Sequence, residues 1–135
     1  MARVKADNLI PQTTLGYHGA IEAIAGKALE RDDIVVVVGT RGDRLIVDKT
    51  HCSSERLTTG PFFVVAHDAP NGQMVRCLSY KLIRDVEISA KEGALAYAGL
   101  DGTWTFKTPK ANATCVGKVI STDEGKALLL APGLM

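Results

Sequence analysis

The side chains most able to do chemistry are few: three histidines, three cysteines and a scatter of carboxylates. His51 and Cys52 stand side by side, followed by Ser53, Ser54 and Glu55. A thiol–imidazole pair needs its two side chains in hydrogen-bond contact, and usually a third group to orient the ring. Neighbours on an extended chain point to opposite sides, so His51 and Cys52 make no dyad by themselves. The stretch reads as a polar loop. His67-Asp68 sits just before a turn and could orient an imidazole. The catalytic alternative is a site completed across subunits with His67, Asp68 or Cys52, but no nucleophile motif accompanies these residues.

Metal chemistry fares no better. His18, His51 and His67 and the cysteines Cys52, Cys77 and Cys115 lack the paired spacing of zinc ligands. Asp32-Asp33 are adjacent, whereas a catalytic carboxylate pair converges from separate positions; they read as residues that solvate a turn. Arg41-Gly42-Asp43 spells an adhesion tripeptide, yet Gly42-Asp43 is sufficiently explained as a hairpin tip. No glycine-rich loop opens a helix in the way a phosphate cradle requires. Trp104 and Phe106 are expected on one side of a single strand, as a base-stacking platform or as core. With a net charge of +1 there is no basic footprint for nucleic acid, and core is preferred. The sequence thus predicts a protein that is no enzyme and uses no metal or other cofactor.

What would position these residues is a set of short β segments. Ile34-Val35-Val36-Val37-Val38 is β-branched throughout, as a buried strand should be. A turn at Gly39-Thr40-Arg41-Gly42-Asp43 leads back through Leu45-Ile46-Val47. Pro61 opens Phe62-Phe63-Val64-Val65-Ala66, and Ala69-Pro70-Asn71-Gly72 turns the chain into a return strand from Met74 to Leu78. Asn-Gly is expected to supply positive φ at the turn. Val86 and Ile88 alternate with charged neighbours, predicting a half-exposed strand. Ala94 to Ala98 pairs through Leu100-Asp101-Gly102 with Thr103-Trp104-Thr105-Phe106. Cys115 to Ile120 pairs through Asp123-Glu124-Gly125 with Ala127 to Leu130. The stretch from Gly19 to Leu29 fits a helix or a strand; two glycines favour the strand.

The spacing predicts an all-β fold, a small barrel or sandwich-like domain built from roughly ten strands and their hairpins. It also carries a weak internal repeat. ERDDIVVVVGTRGDRLIV resembles AKEGALAYAGLDGTWTF, and each is followed by a second hairpin: FFVVAHDAPNGQMVRCL in one half, TCVGKVISTDEGKALLL in the other. At 135 residues the chain supports one domain, assigned to residues 18–135. Residues 1–17 show no clean period and read as an extended N-terminal arm. Free thiols are expected from the odd cysteine count. No apolar run suits a signal peptide or a membrane span, which predicts synthesis in a host cytoplasm and no membrane partner.

The run LERDDIVVVVGTRGDRLIVDKT, then FFVVAHDAPNGQMVRCLSYKLIRDVEISAKEGALAYAGLDGTWTF, then VGKVISTDEGKALLLAPG resembles the head decoration and capsid cement proteins of tailed bacteriophages. The shared grammar is a polar run with Asp before a buried strand, an apolar strand into a Pro-Asn-Gly turn, and a late Val-Gly-x-Val strand. It spans about Ala20 to Pro132, while residues 49–60 depart from it. The resemblance implies a β-barrel-like homotrimer that decorates the outer capsid surface of the virion and clamps the major capsid protein, with no catalytic residues. The arm would supply capsid contacts through Arg3, Lys5, Leu9, Ile10, Leu15 and Tyr17. Other expectations are another virion component, such as a head fibre base or tail part, and a nucleic-acid-binding barrel.

Overall fold

A computed structural model describes residues 20–51, 60–84, 87–107 and 114–132. The described residues are all β, in ten strands: β1 Ala20–Ala25, β2 Ile34–Arg41, β3 Arg44–Lys49, β4 Phe62–Val65, β5 Met74–Leu78, β6 Lys81–Ile83, β7 Leu95–Ala98, β8 Trp104–Thr105, β9 Cys115–Thr122 and β10 Gly125–Leu130. The first five close into a barrel in the order β1-β3-β2-β4-β5, and the other five form an open sheet in the order β6-β10-β9-β7-β8.

These two orders are the same order. Replacing β1 to β5 by β6 to β10 in turn converts β1-β5-β4-β2-β3 into β6-β10-β9-β7-β8. The match extends to the register. In the barrel, one row of partners runs Ile34, Val64, Leu78, Ala20; in the open sheet its counterpart runs Ala96, Gly117, Leu130, Lys81. One residue along, Val65, Cys77 and Ile21 correspond to Lys118, Leu129 and Leu82. The internal repeat read from the sequence is therefore a repeat of topology.

Strand length explains why one unit closes and its counterpart does not. Closure comes from the parallel pairing of β1 with β3 at Ile24–Ile46 and Ala25–Val47. β1 and β3 each have six residues, whereas β6 has three and β8 two. By the matched rows, β6 corresponds to the first half of β1. β8, whose Trp104 faces Ala98, corresponds to the end of β3 beyond Val47. The stretches that would seal the second barrel have no counterpart in β6 or β8.

Alternation along β2 and β4 divides the apolar residues between two cores. Val35 and Val65 point into the barrel with Ala23, Ala25, Val47, Val75 and Cys77. Ile34 and Val64 point out of it, yet both are fully buried, because they meet Ala96, Ala98, Val116, Leu128 and Leu130 of the open sheet. The continuous β-branched run in β2 has this cause: both of its faces are covered. A bulge between Ala96 and Tyr97 leaves Val116 of β9 without a register partner on β7, while its carbonyl accepts from Ala131 N–H and its side chain joins the second core.

Three details differ from the sequence expectation. The strand expected around Val86 and Ile88 lies earlier, at Lys81–Ile83; Val86 is outside the described residues, and Ile88 has irregular backbone. At the Pro70-Asn71-Gly72 turn, only Gly72 takes positive φ (87°), and Gln73 N–H closes the turn on the Pro70 carbonyl. Gly72 N–H also donates to Ala25, so the turn is docked on β1 rather than a free hairpin tip. Asp32-Asp33 does more than solvate a turn. Asp32 adopts φ 74° and pairs with Lys81 across the two units, while Asp33 is buried beneath the strand it precedes.

Candidate functional site

The junction between the units is the most highly specified polar region among the described residues. Asp33 Oδ2 accepts from Glu30 N–H at 2.8 Å and lies 3.6 Å from Lys49 Nζ. Burial pushes its carboxyl above the usual aspartate range, and the Glu30 amide and the Lys49 charge offset only part of that. Thr50 is fully buried, and its hydroxyl donates to the Ile34 carbonyl. Gly102, from the β7–β8 turn, donates to the Thr50 carbonyl at 2.8 Å, and its own carbonyl accepts from Ile34 N–H at 2.8 Å. A Cβ on Gly102 would come within 3.3 Å of Asp33 and of the Ile34 carbonyl, at a φ of 78°. The Gly102 bonds to Thr50 and Ile34 join the units, while Asp33, Glu30 and Lys49 bond to one another within the closed one.

The residues that looked reactive are likewise engaged in structure. His67 Nε2 accepts from Arg76 N–H at 3.2 Å, so Nδ1 carries the proton and donates to the Asp68 carbonyl at 3.0 Å. Asp68 Oδ1 accepts from Arg31 N–H. Glu30, Arg31, Ala66, His67 and Asp68 line an open depression of about 530 Å³, in which Arg31 and His67 both bond to Asp68. Cys77 lies in the barrel core, where burial pushes its thiol up to about 12. Cys115 is half-buried with its Sγ 3.6 Å from the Gly117 carbonyl. His51 follows Thr50 at the end of β3, while His18 and Cys52 lie outside the described residues. No cluster of three or more metal-ligating side chains forms among the described residues.

Trp104 and Phe106 do not form a platform. β8 ends at Thr105; Trp104 packs against the second core, and Phe106 lies beyond the strand, partly exposed. Arg41-Gly42-Asp43 is the β2–β3 hairpin tip, with Gly42 at φ 63°. The six arm residues Arg3, Lys5, Leu9, Ile10, Leu15 and Tyr17 lie outside the described residues.

What remains is surface. On the side of the open sheet turned away from the barrel, Leu82, Leu129, Lys118 and Leu95 form one row across four strands. Its counterpart in the closed unit, Val65, Cys77 and Ile21, belongs to the barrel interior. Leu95 is 41% exposed, Leu82 and Leu129 are half-buried, and Lys118 is exposed. Among the described residues, the open unit thus leaves partly exposed the face that its counterpart closes upon. Sequence reasoning missed this row because it named strands without assigning which pair left an edge. The signal lay in the short segment around Lys81 and the brief return after Asp101-Gly102.

No family model matches the chain, and no curated protein matches it. Among solved structures, the head fiber gp8.5 N base of bacteriophage phi29 is similar, with a TM-score of 0.52 and 19% identity, over 84% of this chain and 92% of that one. At that identity the likeness is one of fold, and it takes in nearly the whole of both chains.

Proposed function

We propose that this chain is a structural subunit of a bacteriophage virion that decorates the outer surface of the capsid shell, where it acts as cement between copies of the major capsid protein. The observation that carries the reading is the two-unit β fold, shared along 84% of the chain with a phage head fiber base. The engaged state of the reactive-looking groups agrees with it, since His67 and Asp33 are held in hydrogen bonds within the closed unit. In this reading the subunit works as a homotrimer, so each weak contact with the shell is made three times and the contacts reinforce one another through effective concentration. Arg3, Lys5, Leu9, Ile10, Leu15 and Tyr17 of the arm supply shell contacts, the two cations contributing about 0–1 kcal/mol each at a solvated rim.

A second reading, the base of a head fibre, rests on the same structural likeness and differs in what the subunit carries away from the shell. Both require attachment to the head. Purified protein added to capsids that lack it should co-sediment with them, with a solution mass of three chains. Failure to co-sediment overturns both readings. A bound subunit whose loss leaves shell stability unchanged, but removes a projecting fibre, selects the second.

A further inference from the structure

We propose that Asn71 is a self-modification site, converted through a succinimide to isoaspartate when its turn leaves β1, and that the product keeps the turn from docking again. Asn-Gly is the pairing in which this reaction runs fastest. The attacking group is the backbone nitrogen of the following residue, and glycine has no side chain to shield it. Of the three asparagines, Asn8 precedes Leu9 and Asn112 precedes Ala113, while Asn71 precedes Gly72. Asn71 and Gly72 are both exposed.

The fold places a gate on that reaction. Gln73 N–H closes the turn on the Pro70 carbonyl at 3.1 Å, and of the two central residues only Gly72 has positive φ, as in a type II turn. Gly72 N–H donates to the Ala25 carbonyl at 2.7 Å, and Ala25 N–H donates back to the Gln73 carbonyl at 2.9 Å. The Gly72 nitrogen must lose its proton before it can attack, the same ionisation that base-catalysed hydrogen exchange requires. A proton held on the Ala25 carbonyl is removed only after that bond opens. A Cβ at Gly72 would meet open space, so the glycine serves the turn's φ rather than close packing.

The reaction balances with water as its only co-reactant. A bond forms from the Gly72 nitrogen to Asn71 Cγ, the Cγ–Nδ2 bond breaks, and ammonia leaves with the proton that Gly72 gave up. Water then opens the ring. Cleavage of the Cγ–N bond gives aspartate; cleavage at the main-chain carbonyl gives isoaspartate, whose backbone runs through Cβ. The Asn71 methylene then lies in the main chain between the Pro70 carbonyl and the Gln73 amide, with a new carboxylate beside it. A turn lengthened in this way cannot close on Pro70 and meet Ala25 in the same register. Each opening at this end of the barrel thus carries a chance of becoming permanent.

Peptide mass mapping of the full-length chain at pH 8 follows conversion at position 71, both natively and in guanidinium, while hydrogen exchange gives the protection of the Gly72 amide. Conversion should be at least about tenfold slower in the native chain than in the denatured one, by the same factor that Gly72 is protected. After refolding, isoaspartyl chains should have lost protection at Gly72 and Ala25 and kept it in β2 and β4. An Asn71→Gln chain taken through the same treatment should keep it throughout. Equal rates in the native and denatured chains overturn the gate, and a denatured chain that stays unconverted overturns the site. A slowing that departs from the Gly72 protection, or isoaspartyl chains that still protect Gly72, also defeats the proposal.

Discussion

Ile34 and Val64 face each other across β2 and β4, on the outside of a closed barrel, and neither exposes any surface to solvent. They are the barrel's contribution to a second core whose other members come from the open sheet. The two units are therefore joined back to back through side chains that would otherwise be the barrel's wet exterior.

Truncating either residue should weaken the union of the units and leave the barrel interior filled. Ile34→Ala is expected to cost about 2–5 kcal/mol, and Ile34→Val about 0.5–1.5 kcal/mol. A denaturant titration followed by Trp104 fluorescence, which reports on the second core, checks both. A loss under 1 kcal/mol for Ile34→Ala would mean that the sheet does not bear on the barrel there.

Two glycines in turns allow the junction to be separated from backbone strain. Gly42 and Gly102 both sit at positive φ, 63° and 78°, but a Cβ at Gly42 meets open space while one at Gly102 meets Asp33 and the Ile34 carbonyl. Gly42→Ala should cost about 1–2 kcal/mol from left-handed strain. Gly102→Ala should cost more than that, since the turn must also withdraw from Thr50 and Ile34. Equal losses in thermal or denaturant unfolding would remove the steric part of this account.

Much of this architecture was legible in the residues. Binary patterning placed β3 to β5, β7, β9 and β10 within a residue or two, since each is bounded by glycine, proline or an acidic turn, while β2 runs three residues past Val38 into the expected turn. The repeat of hairpins was visible as well, because the same turn grammar recurs. β6 was misplaced because Lys81-Leu82-Ile83 is too short to show a period, and the better alternation around Val86 and Ile88 drew the assignment. The junction was illegible for a different reason. Asp32, Asp33 and Gly102 look like turn residues, and only tertiary packing brings Gly102 onto Ile34 and Thr50. Nor could composition tell that the row Leu82–Leu129–Lys118–Leu95 would lie outside both cores, since that depends on which hairpin is long enough to close.

Asp33 sets a pH dependence whose sign follows from burial. Its folded carboxyl holds a proton more firmly than the unfolded one, because desolvation outweighs the Glu30 amide and Lys49. The stability contributed by protonation is fully present below the ordinary aspartate value near ~3.9 and is lost as pH rises through the raised folded value. Asp33→Asn stays neutral throughout and retains a side-chain oxygen for Glu30 N–H. The stability of Asp33→Asn relative to the natural chain should therefore grow between pH 4 and neutrality, then level off. Paired denaturant midpoints across that range are the measurement, and a difference that shrinks with rising pH contradicts the burial argument.

Cys77 offers a chemical test of the closed barrel. Its thiol is pushed up to about 12 and it has no solvent exposure, so both the thiolate fraction and access are suppressed. In a chain with Cys52 and Cys115 replaced by Ser, an aromatic disulfide reagent at pH 8 should leave the native protein unlabelled while reacting promptly with the denatured one. Labelling under native conditions then proceeds through opening of β5 from β1 and β4, the strands that flank it. Its rate should rise with denaturant as the barrel opens. Ile34→Ala should accelerate labelling only to the extent that loosening the junction also opens the barrel, so labelling and Trp104 fluorescence together measure whether the two units unfold as one. Prompt modification of Cys77 in the native chain would mean that the β1–β3 closure is not maintained in solution.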